Sequence, residues 1–182
     1  PPSRLRKEAG GTGNTEPLET LTLQLAYRPP FDWPGMMRFL SARGLKGVEW
    51  VQEDGYFRTV QLSDRKGWIH VRHAPQKRTL LVKFTHSLAP VLPALLGRLR
   101  HVFDLSARPD VIAAQLMGDE LLADAVARNP GLRVPGAFDG FEMAVRAILG
   151  QQITVKAATT LAGRLVEAFG EVIDTPHPGL AR

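Results

Sequence analysis

The pattern of apolar residues changes near residue 100, and this change restricts the fold more than any other feature. Residues 21–25 alternate between apolar and polar side chains, which is typical of a half-buried strand. Further strand-like segments lie at residues 48–52, 56–62 and 68–71, and in the alternating Leu80, Val82 and Phe84. From Leu88 onward, apolar residues recur with the spacing of helices. The sequence therefore predicts an α+β protein, an antiparallel sheet followed by helices.

One helix is expected inside the strand-rich half. Asp32 can cap it, Pro34 suits its first turn, and Gly44 can end it. Its apolar stripe would consist of Trp33, Met36, Met37 and Leu40. Turn-forming residues at 54–55 and 63–67 predict hairpins between the later strands. The first half therefore has the predicted order β-α-β-β-β-β, with the helix on one face of the sheet.

The second half is predicted to be helical throughout. Helices are expected at residues 88–103, 109–117, 119–127, 140–149 and 155–169. Asp139 and Thr154 are the expected N-caps of the last two helices, which Gly150 and Gly170 would end. Their apolar stripes would be Phe141, Ala144, Val145 and Ile148 on the first helix, and Ala158, Leu161, Leu165 and Ala168 on the second. Few residues follow that could cover these stripes, so such a chain would stop inside a helical domain.

The same patterns divide the chain into three parts. Residues 1–19 are rich in Pro, Gly, Arg and Lys and are interpreted as a linker. Residues 20–103 would form the sheet domain, and residues 104–182 the first part of the helical domain. The uncovered helices of this last part would allow two copies of the fragment to pair.

Composition narrows the partners and the compartment. The net charge of +5 and the isoelectric point near 10.0 favour an anionic partner such as nucleic acid. The chain has no cysteine, which excludes disulfides and thiolate metal sites and fits a cytoplasmic location. No apolar run approaches the ~18 residues that span a bilayer, and no signal-peptide segment is present. A membrane partner is therefore not expected.

The charged and titratable residues give no strong catalytic pattern. The five histidines lack the helical spacing of metal ligands, and His70 and His73 would point to opposite faces of a strand. A basic run could bind phosphates as one sheet face, although a solvated sheet face is the favoured interpretation. This run consists of Arg65, Lys66, Arg72, Lys77, Arg78 and Lys83.

Two adjacent amides stand at the junction of the last two helices, in the segment GQQIT at residues 150–154. Gln151 and Gln152 each offer a donor and an acceptor on a neutral stem. In a tight turn they would project outward, where they could bond base edges or fill the space of a displaced base. By residue chemistry alone, a solvated turn is the favoured interpretation.

Two long blocks resemble a known family. The segment LAYRPPFDWPGMMRFLSARGLKGVEWV, residues 25–51, resembles the amino-terminal domain of AlkA-type 3-methyladenine DNA glycosylase II. The segment PGLRVPGAFDGFEMAVRAILGQQITVKAATTLAGRLVEAFGE, residues 130–171, resembles the start of the helical domain of the same family, which belongs to the helix-hairpin-helix glycosylases. The segment PPSRLRK resembles the end of an AraC-type domain, as found in Ada–AlkA fusions of the bacterial adaptive response.

The resemblance implies a fold and an activity. The fold would be a TATA-binding-protein-like antiparallel sheet domain followed by a partial helix-hairpin-helix domain. The activity would be base-excision repair, in which alkylated purines are flipped out of double-stranded DNA and their N-glycosidic bond is hydrolysed. Aromatic rings would bind the cationic base, and a carboxylate would stabilise the sugar cation. The family needs no catalytic cofactor.

The resemblance also assigns site residues. Phe39 matches a pocket-lining aromatic of the family. Trp33 is interpreted either as its support or, preferably, as a core residue. Gln151, Gln152, Ile153 and Thr154 match the turn that inserts into DNA. Some members carry an apolar wedge where this chain has Gln152, and Ile153 could share that role.

One departure concerns catalysis. The family's glycine-rich hairpin and catalytic aspartate follow the matched block, and Asp174 lies too close to it to be that aspartate. The expected aspartate therefore lies beyond Arg182, and this chain alone would have little or no glycosylase activity. Two alternatives remain, a non-catalytic DNA-binding module that uses the basic sheet face and a small-molecule sensor that uses the aromatic helix.

Overall fold

The computed structural model describes residues 19–180, which form a five-stranded antiparallel sheet with flanking helices. The strands are β1 (Thr20–Ala26), β2 (Glu49–Gln52), β3 (Gly55–Leu62), β4 (Arg65–Ala74) and β5 (Thr79–Thr85), in the sheet order β1-β5-β4-β3-β2. The helices are α1 (Trp33–Arg43), α2 (Leu92–Val102), α3 (Pro109–Leu116), α4 (Glu120–Arg128), α5 (Gly140–Leu149) and α6 (Val155–Phe169). The predicted α+β class is confirmed. The predicted linker lies almost wholly outside the described residues.

Helix α1 forms as its sequence predicts. The Asp32 carboxylate accepts a hydrogen bond from the Gly35 amide at 2.8 Å, and Gly44 ends the helix. Met36, Met37 and Leu40 are buried in one core with α2 and with one face of the sheet. That face is called the inner face below, and the opposite one the outer face. Each of these buried side chains contributes about 1.5–3 kcal/mol by leaving water.

Strand β4 is longer than predicted. The predicted turn at residues 63–67 ends at Asp64, because Ser63 adopts a left-handed φ of 53° and Leu62 pairs directly with Arg65. Arg65 and Lys66, which suggested a loop, instead begin the strand, where successive side chains point to opposite faces of the sheet. Burial begins only at Gly67, so both side chains stay accessible to water.

The predicted helix at residues 88–103 begins later than expected. Residues His86–Val91 form a 3₁₀ segment, and the α-helix starts at Leu92. Pro90 has no amide hydrogen to donate, so an α-helix cannot run through it, whereas Pro93 is tolerated in the first turn of α2. Leu95 and Leu99 of α2 are fully buried.

The prediction that α5 and α6 bury their apolar stripes in the core is wrong. No side chain of α5 is buried, and Phe141 and Ile148 are 80% and 66% exposed. Helix α6 buries Ala162 and Gly163 rather than its larger apolar residues. Small residues allow α6 to approach closely, so its leucines face outward.

The outer face of the sheet is partly covered by residues 171–180. His177 packs against the rings of Phe57 and Trp68 at centroid distances of 4.5 and 4.7 Å. Leu180 is 1% exposed and pairs with Gly47 in a β-bridge. This segment, for which the sequence pattern predicted no regular element, is called the tail below.

No helix within residues 19–180 is long and apolar enough to cross a lipid bilayer.

Candidate functional site

The sheet together with α1 and α2 is called the sheet unit below. A cavity of about 340 Å³ lies where this unit meets the last two helices, α5 and α6. Phe39 and Leu40 of α1 line it, as do Ile153, Val155 and Ala158 at the start of α6 and in the turn before it. The connector that precedes α5 contributes Pro135, Gly136, Ala137 and Phe138. The cavity thus has apolar walls drawn from both halves of the chain, which is the usual character of a ligand pocket.

Phe39 lies on the rim of this cavity. Its side chain is 37% exposed, unlike the buried Met36 and Met37 on the same helix. The guanidinium of Arg43 lies 4.2 Å from the centre of its ring, in a cation–π contact. The predicted pocket residue is therefore accessible and already carries a positive group on one face.

Trp33 is not brought to the cavity. Its ring stacks between His73 and Phe103, at centroid distances of 5.3 and 5.9 Å. Tyr27, on the same inner face, bonds His73 through its hydroxyl at 2.7 Å. Burial lowers the pKa of His73, which keeps its ring neutral in this aromatic cluster. The geometry agrees with the core interpretation of Trp33.

The GQQIT segment forms the predicted junction. Gly150 caps the C-terminus of α5. The Thr154 hydroxyl caps α6 by accepting a hydrogen bond of 3.2 Å from the amide of Ala157. Gln152 has a left-handed φ of 59°, which is uncommon for a residue with a side chain. Gln151, Gln152 and Ile153 are all exposed, and Ile153 also lines the cavity. The turn therefore projects its side chains beside the cavity mouth. Residues 150–154 are called the probe turn below.

A cluster of four charged residues forms the floor of the cavity, and the sequence patterns did not reveal it. Arg58 of β3 bonds Glu49 of β2 at 2.9 Å and also pairs with Glu142 of α5. Arg146, one turn further along α5, contacts Glu49 at 3.4 Å and Glu142 at 3.3 Å. The Tyr56 hydroxyl donates to Glu49 at 2.6 Å. Glu49, Arg58, Glu142 and Arg146 are called the ion cluster below.

Glu49 and Arg58 are the buried pair of the ion cluster, whereas the side chains of Glu142 and Arg146 are 22% and 24% exposed. The side chains of Arg58 and Glu49 are 5% and 9% exposed. Burial opposes the charge on Arg58, but interactions with Tyr56 and Glu49 outweigh burial and raise its pKa. Burial is the main cause of the raised pKa of Tyr56, followed by Glu49. The cluster pairs two arginines with two glutamates, so each guanidinium has carboxylate partners.

One signal could have identified this cluster. Arg58 occupies an inner-face position between the buried Tyr56 and Val60, and a cation there requires a buried partner. Asp139 was the expected N-cap of α5, the helix that carries Glu142. The Asp139 carboxylate accepts a hydrogen bond of 3.0 Å from the amide of Glu142. The Glu142 side chain, by contrast, contacts Arg58 and Arg146.

The predicted basic face is not a continuous surface. Lys77 and Arg78 lie in and after the turn that joins β4 to β5. On the outer face, Lys66 pairs with Glu171 of the tail, and the Lys83 ammonium lies 6.0 Å from the Trp68 ring. The tail therefore occupies part of the face that a DNA-binding module would need.

Comparisons with known proteins agree with this arrangement. Residues 22–139 match the family model of the AlkA N-terminal domain. DNA-3-methyladenine glycosylase 2 of Escherichia coli is 34% identical over 150 residues, 82% of this chain and 51% of that protein. A probable bifunctional transcriptional activator/DNA repair enzyme AlkA of Mycobacterium tuberculosis is 36% identical over 178 residues, 97% of this chain and 35% of that protein. The chain thus spans about half or less of these relatives.

A solved structure shares the fold. The 3-methyladenine DNA glycosylase of Archaeoglobus fulgidus superposes with a TM-score of 0.73 at 20% identity, covering 88% of this chain and 55% of that one.

Proposed function

The chain belongs to the AlkA N-terminal domain family, and we propose that it serves base-excision repair as part of a glycosylase for alkylated purines in double-stranded DNA. The observation that carries this proposal is the exposed probe turn, which lines the same cavity as Phe39 through Gly150 and Ile153. The relatives named as 3-methyladenine glycosylase and DNA repair enzyme support the same activity.

The probe turn has the chemistry to fill a gap in DNA. A base whose glycosidic bond is to be cut must leave the stack, which costs a few kcal/mol of stacking and pairing. Ile153 can insert as an apolar wedge, and the Gln152 amide can bond the orphaned opposite base. The left-handed backbone of Gln152 holds the turn in a shape that keeps both side chains exposed.

The cavity can bind the alkylated base, but within residues 19–180 it lacks a free carboxylate for hydrolysis of its glycosidic bond. An electron-rich ring such as Phe39 attracts the positive charge of a 3-alkyladenine or 7-alkylguanine. Among the described residues, the carboxylates that line the cavity are Glu49 and Glu142, and both are paired with arginines. Neither is free to stabilise a sugar cation. We infer that these 182 residues bind damaged DNA in the cytoplasm and that another part of the whole enzyme contributes the catalytic carboxylate.

Binding to DNA with a gap tests the proposal. The 182-residue chain should bind a duplex with a tetrahydrofuran abasic site several-fold more tightly than the intact duplex, because only the former has room for the probe turn. The Ile153→Ala/Gln152→Ala variant should lose this preference. Gln115→Ala, which removes an exposed amide from α3, is the matched control and should keep it.

Two results would contradict this function. Equal, strongly salt-dependent affinity for both duplexes would favour a non-specific DNA-binding module instead. Robust release of 3-methyladenine from alkylated DNA by the 182-residue chain would show that it does not depend on a carboxylate from elsewhere.

A further inference from the structure

Helix α5 packs along α6 but buries none of its apolar side chains fully. None of its side chains is buried, and its largest apolar residues, Phe141 and Ile148, face solvent. A surface helix of this kind normally packs through its apolar stripe. The polar contacts of Glu142 and Arg146 with the sheet unit take the place of that packing. The ion cluster therefore supplies the charged contacts between the body of α5 and the sheet.

The same cluster reaches both elements of the proposed DNA site. Arg146 donates to the carbonyl oxygen of Arg43, the last residue of the helix that carries Phe39. Arg146 also lies in the last turn of α5, directly before Gly150 and the probe turn. One side chain thus joins the end of α1 to the start of the probe turn.

The geometry of the ion cluster is suited to fix the distance between α5 and the end of α1. Its guanidinium groups donate in fixed directions, and each arginine contacts both glutamates. The amide of Leu45, which follows α1, also donates to Glu49 at 3.2 Å. A displacement of α5 would break several of these bonds together and would leave buried charges without partners. Apolar contacts would tolerate a small slide far better.

We propose that Glu49, Arg58, Glu142 and Arg146 are positioning residues that hold the probe turn at a set distance from Phe39. The probe turn and the cavity lined by Phe39 can then act on the same nucleotide. The use in DNA recognition rests on the function proposed above, whereas the fixed distance is a property of the free protein.

Spin labels measure that distance directly, because the chain has no natural cysteine. Ser41→Cys on α1 and Lys156→Cys on α6 are exposed sites outside the cluster. The labelled parent should give one narrow distance distribution. Glu142→Gln and Arg146→Met should each broaden or shift it, and Arg146→Lys should restore it in part. Glu167→Gln is the matched control, since it breaks the exposed Lys46–Glu167 pair between the same two halves, and it should leave the distribution unchanged.

DNA binding then separates positioning from general stability. In Glu142→Gln, the preference for abasic DNA should fall several-fold when binding is measured well below the thermal unfolding midpoint of the variant, while the affinity for intact duplex changes little. Arg146→Met provides the same comparison if Glu142→Gln fails to fold. Unchanged distance distributions in both variants would overturn the inference, whatever the DNA result. An absent abasic preference in the parent would instead count against the proposed function.

Discussion

Arg133 connects the segment before α5 to the sheet unit at the scale of a single residue. Its guanidinium donates to the carbonyl oxygens of Asp104 at 3.0 Å and Pro30 at 2.9 Å, and also to that of Arg28. It lies 4.9 Å from the centre of the Phe31 ring. Arg133 itself is only 6% exposed, so its guanidinium depends on these carbonyls for hydrogen bonds. One buried cation thus ties together three main-chain positions that are distant from it in sequence.

Replacement of this side chain should be costly. Arg133→Met keeps much of the volume but removes three charge-assisted hydrogen bonds to main-chain carbonyls, so we expect a loss of about 2–4 kcal/mol in the free energy of unfolding. Urea denaturation followed by circular dichroism measures it. The control Arg128→Met breaks an exposed pair with Asp124 on α4 and should cost less than about 0.5 kcal/mol. Equal effects of the two substitutions would show that the Arg133 contacts contribute nothing special.

The tail is an element held by aromatic and histidine contacts. His177 lies between Phe57, Trp68 and His70, whose ring centroid is 6.1 Å away. Asp54 contacts His70 at 3.4 Å, and Lys83 adds positive charge nearby. Burial is the main cause of the lowered pKa of His177, and His70 lowers it further. The tail therefore packs best with a neutral imidazole.

Acid should release the tail. With a folded pKa below the ordinary 6.5, the contribution of His177 to stability is complete above that value and is lost as the pH falls through the folded pKa. We expect the emission of Trp50 and Trp68 to shift to longer wavelength between about pH 7 and about pH 5 as the tail leaves. His177→Phe should weaken this shift, whereas His86→Gln, at an exposed site, should not. A shift of the same size in His177→Phe would exclude this residue as its cause.

The elements show which parts of the fold are local properties of the sequence. Helix α1, its Asp32 cap and the junction between Gly150 and Thr154 follow from capping chemistry, which acts within a few residues. The orientation of α5 does not, because its stripe faces outward and Glu142 and Arg146 hold the inward face. Which face of an amphipathic helix is buried depends on partners distant in sequence, here Glu49 and Arg58.

The same distinction applies to the candidate site. Phe39 and the probe turn were identified through long matching blocks, and the structure places them around one cavity. The ion cluster was missed because its members lie between positions 49 and 146 and meet only after folding. The role of each site residue in DNA recognition stays a prediction.

The whole molecule exposes large apolar side chains on its last two helices. They are Phe141 and Ile148 on α5 and Leu161, Leu165 and Phe169 on α6. Soluble monomers rarely leave large contiguous apolar patches in water. We therefore expect the 182-residue chain to pair with a second copy through these helices, as the sequence pattern predicted.

The concentration dependence of the molecular mass tests this pairing. In sedimentation equilibrium, the average mass should rise above 20.0 kDa at micromolar concentrations. Leu165→Asp should return it to the monomer value, because a carboxylate in an apolar contact must be desolvated without a partner. Leu121→Asp is the matched control, since Leu121 is 89% exposed on α4, outside the stripes of α5 and α6. A monomeric parent at all concentrations would contradict the pairing, and a monomeric Leu121→Asp variant would move the contact to α4.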